Sequence, residues 1–277
     1  MIAKKNLHKF EDKSRILLQA KEYICLSPHA NLKYYISNYS ITFPEKDTFT
    51  NNYTVIPCGC STINIEFKGN DLIASLDGPS TKPYIMESLD DQVLMLVTIE
   101  FKPAGLYIFT GIDQSQLADQ TIDFEKVNPT LNKLIIDIVR NTQSIKEIIE
   151  GFDNLLMQNI CAIYHPLLKS ILKKIFGNSG NTSVKNLAEE IHYSERQLNR
   201  IFQQYVGVSA KAFLRLVRIN QAFKLLKKPY NSLTFVSDFT GFHDLSHFIR
   251  DFKLVSGVTP QEYQNNMSAF YNNITKF

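Results

Sequence analysis

The 277-residue chain contains no apolar run approaching the ~20 residues that a bilayer-spanning helix requires, so no membrane helix is expected. Its first fifteen residues, MIAKKNLHKFEDKSR, hold neither an apolar core nor a small-residue cleavage site. They do not read as a signal peptide, and a cytoplasmic location is expected. Cysteine is scarce. Cys25, Cys58, Cys60 and Cys161 are too few and too scattered for a disulfide framework. Cys58-Gly59-Cys60 lacks the second pair or nearby histidine of a zinc site, so reduced, partly buried thiols are expected. Between Tyr23 and Ile122 the one histidine is His29, and no Ser/His/Asp set stands on a recognisable elbow. A metal centre of two or three His with a carboxylate, or a hydrolase site, finds no residues there. No catalytic residue, metal or cofactor is assigned.

Acidic residues are short in one part only. Residues 1–164 carry 15 Lys and Arg against 20 Asp and Glu, and residues 165–277 carry 15 against 7. An N-terminal part at −5 thus precedes a C-terminal part at +8, and a polyanionic partner is expected for the second alone.

The pattern changes at similar places. From about Tyr23 to Ile122, runs such as YTVIP, STINIEF, DLIASL and VLMLVTIEF are β-branched and aromatic, separated by Gly, Pro, Asn and Asp. They predict a small antiparallel sandwich or barrel. From Thr130 to Ile160 the apolar residues fall at helical spacings: Leu131, Leu134, Ile135, Ile138 and Val139, then Ile145, Ile148, Ile149, Phe152, Leu155 and Leu156. His165–Phe176 has its own helical pattern and precedes the loop GNSGNTS, which places a domain boundary near 160–165. The fold class expected is α+β. Residues 1–164 form a β-rich domain with following helices, and residues 165–277 form an all-α module.

A repeat occupies the basic part. RIFQQYVGVSA (Arg200–Ala210) returns as RDFKLVSGVTP (Arg250–Pro260) fifty positions on, and Ser194–Leu198 matches Asp244–Phe248 at the same shift. Each copy predicts a helix, a turn, an N-capped second helix and a glycine stop. Ser194 and Asp244 serve as caps, and Gly207 and Gly257 as left-handed ends. Leu198 with Phe202, and Phe248 with Phe252, are i, i+4 pairs facing inward. The preceding helices brace them through Val184, Leu187, Ala188 and Ile191, and through Leu233, Val236 and Phe239. Arg196, Asn199 and Arg200 share another face of the first second-helix; Ser246, Ile249 and Arg250 share the corresponding face of the second. That is helix-turn-helix geometry for a major groove. Arg can grip guanine, and Asn adenine, with two hydrogen bonds each.

Ala210 to Lys228 predicts one helix between the copies. Its apolar stripe is Ala212, Leu216, Ile219, Phe223 and Leu226, and its basic stripe is Lys211, Arg215 and Arg218. At ~1.5 Å per residue it is a rod of roughly 28 Å, comparable to the ~34 Å of one duplex turn. A basic helix taken singly is ordinarily a solvated face. Two with matching caps, stops and spacing, in the basic part, reverse that reading.

These motifs carry a resemblance. SERQLNRIF with GVS, then RINQAFKLL, then GFHDLSHFIRDFK with GVTPQEY make Ser183–Tyr263 similar to the DNA-binding module of the AraC/XylS family of bacterial regulators. The resemblance implies base or groove contacts from Arg196, Asn199 and Arg200, and from Leu245, Ser246, Ile249 and Arg250. Lys211 and Arg215 join them on the connecting helix. Ala210 stands where the family often has Pro, and Leu245 where a polar base reader is common, which shifts the second helix toward phosphate contacts. Residues 1–164 resemble, through Ile56–Cys60 and Phe101–Gly105, the cupin-like sensor domains found in front of such modules. The implied partners are double-stranded promoter DNA, a small-molecule effector, RNA polymerase and a second copy of the chain.

Ligand-responsive transcriptional regulation is therefore the expected function, with activation as its expected sense although the residues do not separate activator from repressor. A cupin-type enzyme and a DNA-binding adaptor without effector are the alternatives. The aromatics Tyr34, Tyr35, Tyr39, Phe43, Phe49, Tyr53, Phe67, Tyr84, Phe101 and Phe109 are expected to be mostly core, with a subset lining an effector pocket. A hinge is expected near Cys161–Pro166, where Pro166 disfavours helix.

Overall fold

The computed structural model describes residues 2–44, 53–86, 92–228 and 230–265. Phe49 lies outside them, as do the side chains of Tyr53 and Tyr84. The strands are β1 (Ile16–Gln19), β2 (Tyr23–Leu26), β3 (Ile36–Thr42), β4 (Tyr53–Val55), β5 (Thr62–Lys68), β6 (Asp71–Asp77), β7 (Tyr84–Met86), β8 (Val93–Phe101) and β9 (Thr121–Asp123). A short helix α1 (Tyr107–Thr110) and the 3-10 turn Gln114–Gln116 fall between β8 and β9. All ladders are antiparallel, in the order β1-β2-β3-β8-β5-β6-β9, with β4 and β7 as a separate pair. β1 and β9 are the sheet's edges, and no ladder closes one onto the other among the described residues.

Period-2 alternation gives this sheet two unlike faces. Residues paired across the ladders lie on one face, so Leu26, Tyr39, Ile99, Ile63 and Leu76 form one apolar row. Ile24, Ile41, Val97, Ile65 and Ala74 form the next. Two helices cover these rows after the single turn α2 (Phe124–Val127): α3 (Pro129–Asn141) and α4 (Ile145–Gln158). The Asn128 side chain caps α3, with Pro129 in its first turn, and Ser144 caps α4. Ile135, Val139, Ile148, Ile149, Phe152 and Leu156 are buried with the strand residues in one core. Tyr39 and Phe101 are core here, whereas Tyr34 is exposed.

Asp153 on α4 fastens the helix pair to the sheet. Its buried carboxylate accepts from the His29 N–H (2.9 Å) and the Tyr39 hydroxyl (3.0 Å) and faces the Arg15 guanidinium at 2.8 Å. Burial and the Asp153 charge push the Tyr39 hydroxyl well above the usual tyrosine range.

Residues 159–167 are non-helical, and the N–H groups of Cys161 and Ala162 both donate to the Ile108 carbonyl (3.0 and 3.1 Å). The remainder is helical: α5 (Leu168–Gly177), α6 (Val184–Glu190), α7 (Glu195–Val206), α8 (Ala210–Leu226), α9 (Leu233–Phe239), α10 (Leu245–Ser256) and α11 (Pro260–Asn265). Ser183, Ser194, Ser209, Ser232 and Asp244 cap α6 to α10 in turn. α5, α6, α7 and the first half of α8 share one core. The second half of α8 shares another with α9, α10 and α11.

Two expectations are corrected here. The apolar stripe on α8 is wider than periodicity implies: Phe213, Leu214 and Val217 are buried beside Leu216, Ile219 and Phe223. The helix passes between two cores and also meets the sheet domain, so most of its circumference is covered. On α9, Val236, Ser237 and Thr240 form the buried arc, and Phe239 is 57% exposed. It stacks on Phe235 (5.7 Å) on the outer side, while Phe242 from the following turn supplies the bulk to the core.

Candidate nucleic-acid interface

The two reading helices are built alike. At the start of α7 the Ser194 hydroxyl accepts the Gln197 N–H (3.2 Å), and the Gln197 side chain accepts the Ser194 N–H (2.8 Å), a reciprocal capping box. At the start of α10 the Asp244 carboxylate accepts the His247 N–H at 2.7 Å, which holds this acid below the usual carboxylate range. Leu198 and Phe202 on α7, and Phe248 and Phe252 on α10, are fully buried. With these inward, the opposite faces are fixed outward.

Arg196 and Arg200 are exposed on α7, and Ser246 and Arg250 on α10. Leu245 is 37% exposed at the first position of α10, and Ile249 is half-buried against the second core. Asn199 stands apart from its neighbours. Its side-chain carbonyl accepts the Ala210 N–H at 3.1 Å, joining the cap of α8. One acceptor site of Asn199 is thereby used to brace α7 against α8, and its second lone pair and its NH₂ group are not engaged by this bond.

The basic stripe on α8 also divides. Lys211 is exposed. Arg215 points at α10, its Nε 3.2 Å from the buried carboxylate of Asp251. His247, one turn earlier on α10, reaches the same oxygen at 3.4 Å. Arg218 lies over the Phe242 ring, 4.7 Å from its centre, and burial lowers its pKa from the ordinary arginine value. Lys211, Arg215, Arg218, Arg250 and Lys253 line a cleft of about 680 Å³ between α8 and α10, with Asp251 as its acid. Asp251 carries no mark in sequence beyond being an acid on a basic helix, and it was absent from the expected site.

The sheet domain reaches both copies of the repeat. The loop before β5 brings Gly59 against Phe213 and Leu216 of α8, and the Pro57 carbonyl accepts from the Asn220 side chain at 3.4 Å. Pro79 and Gln114 abut Gly207 at the end of α7, and Pro83 approaches Gly257 at the end of α10. Tyr107 packs edge-on against Tyr205 (4.7 Å).

With this geometry in place, the comparisons with known proteins are specific. Residues 187–266 match the family described as helix-turn-helix domain, and residues 25–123 match a domain of unknown function. Residues 187–266 are an AraC-type helix-turn-helix domain. The chain is 29% identical over 87 residues to the uncharacterized HTH-type transcriptional regulator YisR of Bacillus subtilis, covering 31% of this chain and 30% of that protein. It is 28% identical over 94 residues to the arabinose operon regulatory protein of Escherichia coli, covering 34% and 32%. Among solved structures, an AraC-type transcriptional regulator from Chromobacterium violaceum aligns with 25% identity and a TM-score of 0.33, over 37% of this chain and 96% of that one. The chain spans about 30% of YisR's length and about half of that of a Haemophilus influenzae regulator that it also matches.

Among the described residues no group of three or more His, Cys, Asp or Glu side chains is placed to hold a metal ion. No helix there is long and apolar enough to cross a membrane. The four cysteines form no disulfide; Cys25, Cys58 and Cys60 are buried and Cys161 is exposed.

Proposed function

We propose that this chain is a cytoplasmic, sequence-specific transcriptional regulator and not an enzyme. In this reading residues 165–277 bind promoter DNA, and residues 1–164 sense a small-molecule effector and contribute to pairing with a second copy. The observation that carries it is the doubled unit: two capped, glycine-stopped helices, each with an inward aromatic seam and an outward arginine face, on the basic part of the chain. Arg196 and Arg200 act as guanine readers, and Arg250 and Ser246 as contacts from the second helix. Leu245 offers an apolar surface to a thymine methyl group, and Lys211 holds phosphate. Arg215 supports the second unit through Asp251 more than it touches DNA. Contact with RNA polymerase follows if the sense of regulation is activation.

The test is promoter binding by the full chain across salt. Because Lys and Arg displace condensed counterions, affinity should fall by at least roughly a hundredfold between 50 and 200 mM salt. An affinity unchanged over that range overturns the reading.

A further inference from the structure

Two stripes of cations converge in the reader, residues 165–277. On α8, Lys211, Arg215 and Arg218 follow one another at steps of four and three. On α10, Ser246, Arg250 and Lys253 repeat the same steps, which keeps them on one helix face. The two stripes line the cleft of about 680 Å³, where five Lys and Arg side chains meet one acid, Asp251. That acid is already used, since it faces Arg215 at 3.2 Å and His247 at 3.4 Å. Among the described residues Lys211, Arg218, Arg250 and Lys253 make no ion pair. Glu262 on α11 lies near enough to feel Lys253, but its carboxylate accepts the Thr259 N–H (2.7 Å) and hydroxyl (2.8 Å). Lys211, Arg250 and Lys253 are exposed, whereas Arg215 and Arg218 are half-buried. A surplus of positive charge gathered in one cleft repels itself and draws an anion.

We propose that this cleft holds backbone phosphates of the bound duplex beside the half-site under α10, with Arg218 and Lys253 as phosphate contacts in addition to Lys211 and Arg250. The second unit thereby anchors the protein, and the first selects the sequence. This rests on the DNA-binding reading above and gives the second unit its task. Arg250 belongs both to the cleft and to the outward face of α10, so a duplex in front of that face brings its phosphates to the cleft. A free anion would have no such need of Arg250 and Ser246 on one stripe.

The side chains of α10 suit phosphate better than base edges. Leu245 and Ile249 have no polar atom to donate or accept, and Ser246 has a single hydroxyl. α7 instead sets Arg196, Asn199 and Arg200 on one face, three groups able to pair with bases. In the cleft, Lys253 supplies a point charge on a flexible stem, which serves a phosphate wherever the strand passes. Arg218 is different: its guanidinium lies over the Phe242 ring at 4.7 Å, so its charge is held in place before any partner arrives. Phosphate contacts fix position and carry no direct sequence information, which is the division of labour that the two helices show.

Promoter binding by the full chain between 50 and 200 mM salt tests this, since each phosphate contact contributes about 0.9 to the slope of log affinity against log salt. Lys253→Ala should lower the slope by about one, so its deficit against the parent shrinks roughly 3.5-fold over that range, on promoter and unrelated duplex alike. Arg218→Gln should do the same, Lys253→Arg should keep the parent slope, and Lys146→Ala on α4 should change nothing. Arg200→Ala identifies the half-site under α7 by relaxing selection there, and base changes in the other half-site should cost the parent severalfold less. Neutral methylphosphonates beside that other half-site should weaken the parent severalfold and add little to Lys253→Ala. Unchanged slopes in Lys253→Ala and Arg218→Gln, with Arg200→Ala still relaxing selection, overturn the cleft and keep the regulator reading. Equal costs for base changes in the two half-sites overturn the anchoring role. No salt-dependent promoter binding by the parent overturns the regulator reading itself. Sodium tripolyphosphate that binds the parent in calorimetry and not Lys253→Ala, with duplex slopes unchanged, overturns the duplex as occupant and assigns the cleft to a free polyphosphate.

Discussion

The reading helices end on two glycines with nearly the same backbone, Gly207 at φ 88° and Gly257 at φ 80°, so alanine at each makes a controlled pair. In both places a Cβ in the left-handed region costs about 1–2 kcal/mol. The surroundings differ. At Gly257 an added Cβ comes no nearer than 3.5 Å to the Pro83 ring, an ordinary contact. At Gly207 it falls 2.6 Å from Pro79 Cγ and 2.8 Å from the Gln114 carbonyl oxygen. Carbon atoms pack best at about 3.5–4.0 Å, so something must move by roughly 1 Å. The Gln114 oxygen is backbone, and its residue is buried and tied by its side chain to the Ile112 carbonyl at 2.8 Å. No side-chain rotation relieves the contact, so the sheet domain and the end of α7 must separate. Overpacking adds about 1–3 kcal/mol to the backbone term at Gly207 alone.

Gly257→Ala should therefore lower the apparent melting temperature by a few degrees, and Gly207→Ala by about twice as much. The sharper assay is limited chymotrypsin digestion. Tyr164 lies in the 159–167 connection, half-buried against both the sheet-domain core and the core of α5 to α8, which protects it while the domains are docked. Gly207→Ala should speed cleavage after Tyr164, and Gly257→Ala should leave it at the parent rate. Equal cleavage rates and equal melting shifts in the two variants would refute the docking of Pro79 and Gln114 on α7.

Arg200→Ala should lose ~1–3 kcal/mol of discrimination at one base position, whereas Lys211→Ala should weaken all sequences about equally; a sequence-profiling binding assay reads both, and indistinguishable profiles count against the assignment. Asp251→Ala leaves Arg215 and His247 facing each other without their acid and should lower stability by about 1–3 kcal/mol in urea unfolding, with little change for exposed Glu195→Ala. Burial, with Glu100 nearby, pushes the Cys25 thiol up to about 12, so it stays protonated at pH 8. Iodoacetamide at that pH should label exposed Cys161 and spare Cys25 by mass spectrometry.

What was legible in the sequence was local. The caps at Ser194 and Asp244 and the stops at Gly207 and Gly257 depend on residues within one turn, and the fifty-residue shift doubled each signal. The alternation in STINIEF likewise marked β5, but one strand cannot say which face is shared with Glu100 or Asp77; the ladders decide that. Asn199 reads as a base contact because it shares a face with Arg196 and Arg200. Its partner is the Ala210 N–H, brought to it by the turn between α7 and α8, and helix periodicity carries no trace of that contact. Phe239 was misplaced because α9 is so short that two apolar faces fit its spacing, and only the packing of Val236 and Phe242 chooses between them. The contacts of Pro79, Gln114 and Gly59 join residues more than ninety positions apart and left no local signature.

α8 constrains how any signal can act on the reader. Its first half is buried in one core with Phe202 and its second half in the other with Phe252, and Arg215 ties it to Asp251 besides. Changing the spacing of the two reading helices would require opening one of these cores, which exposes several fully buried aromatics. Each such side chain is worth about 1.5–3 kcal/mol of burial, more in sum than the 1–3 kcal/mol of a typical allosteric coupling. The reader therefore moves as one body. The sheet domain meets that body at Gly207, along α8 at Gly59 and Asn220, and near Gly257. A rigid body held at three points on one side is released at all of them together, which favours two discrete arrangements over a graded slide. An effector that shifts the loops bearing Gly59 and Pro79 then acts on both half-sites at once, and its effect on DNA affinity should be the same for the two halves of an operator.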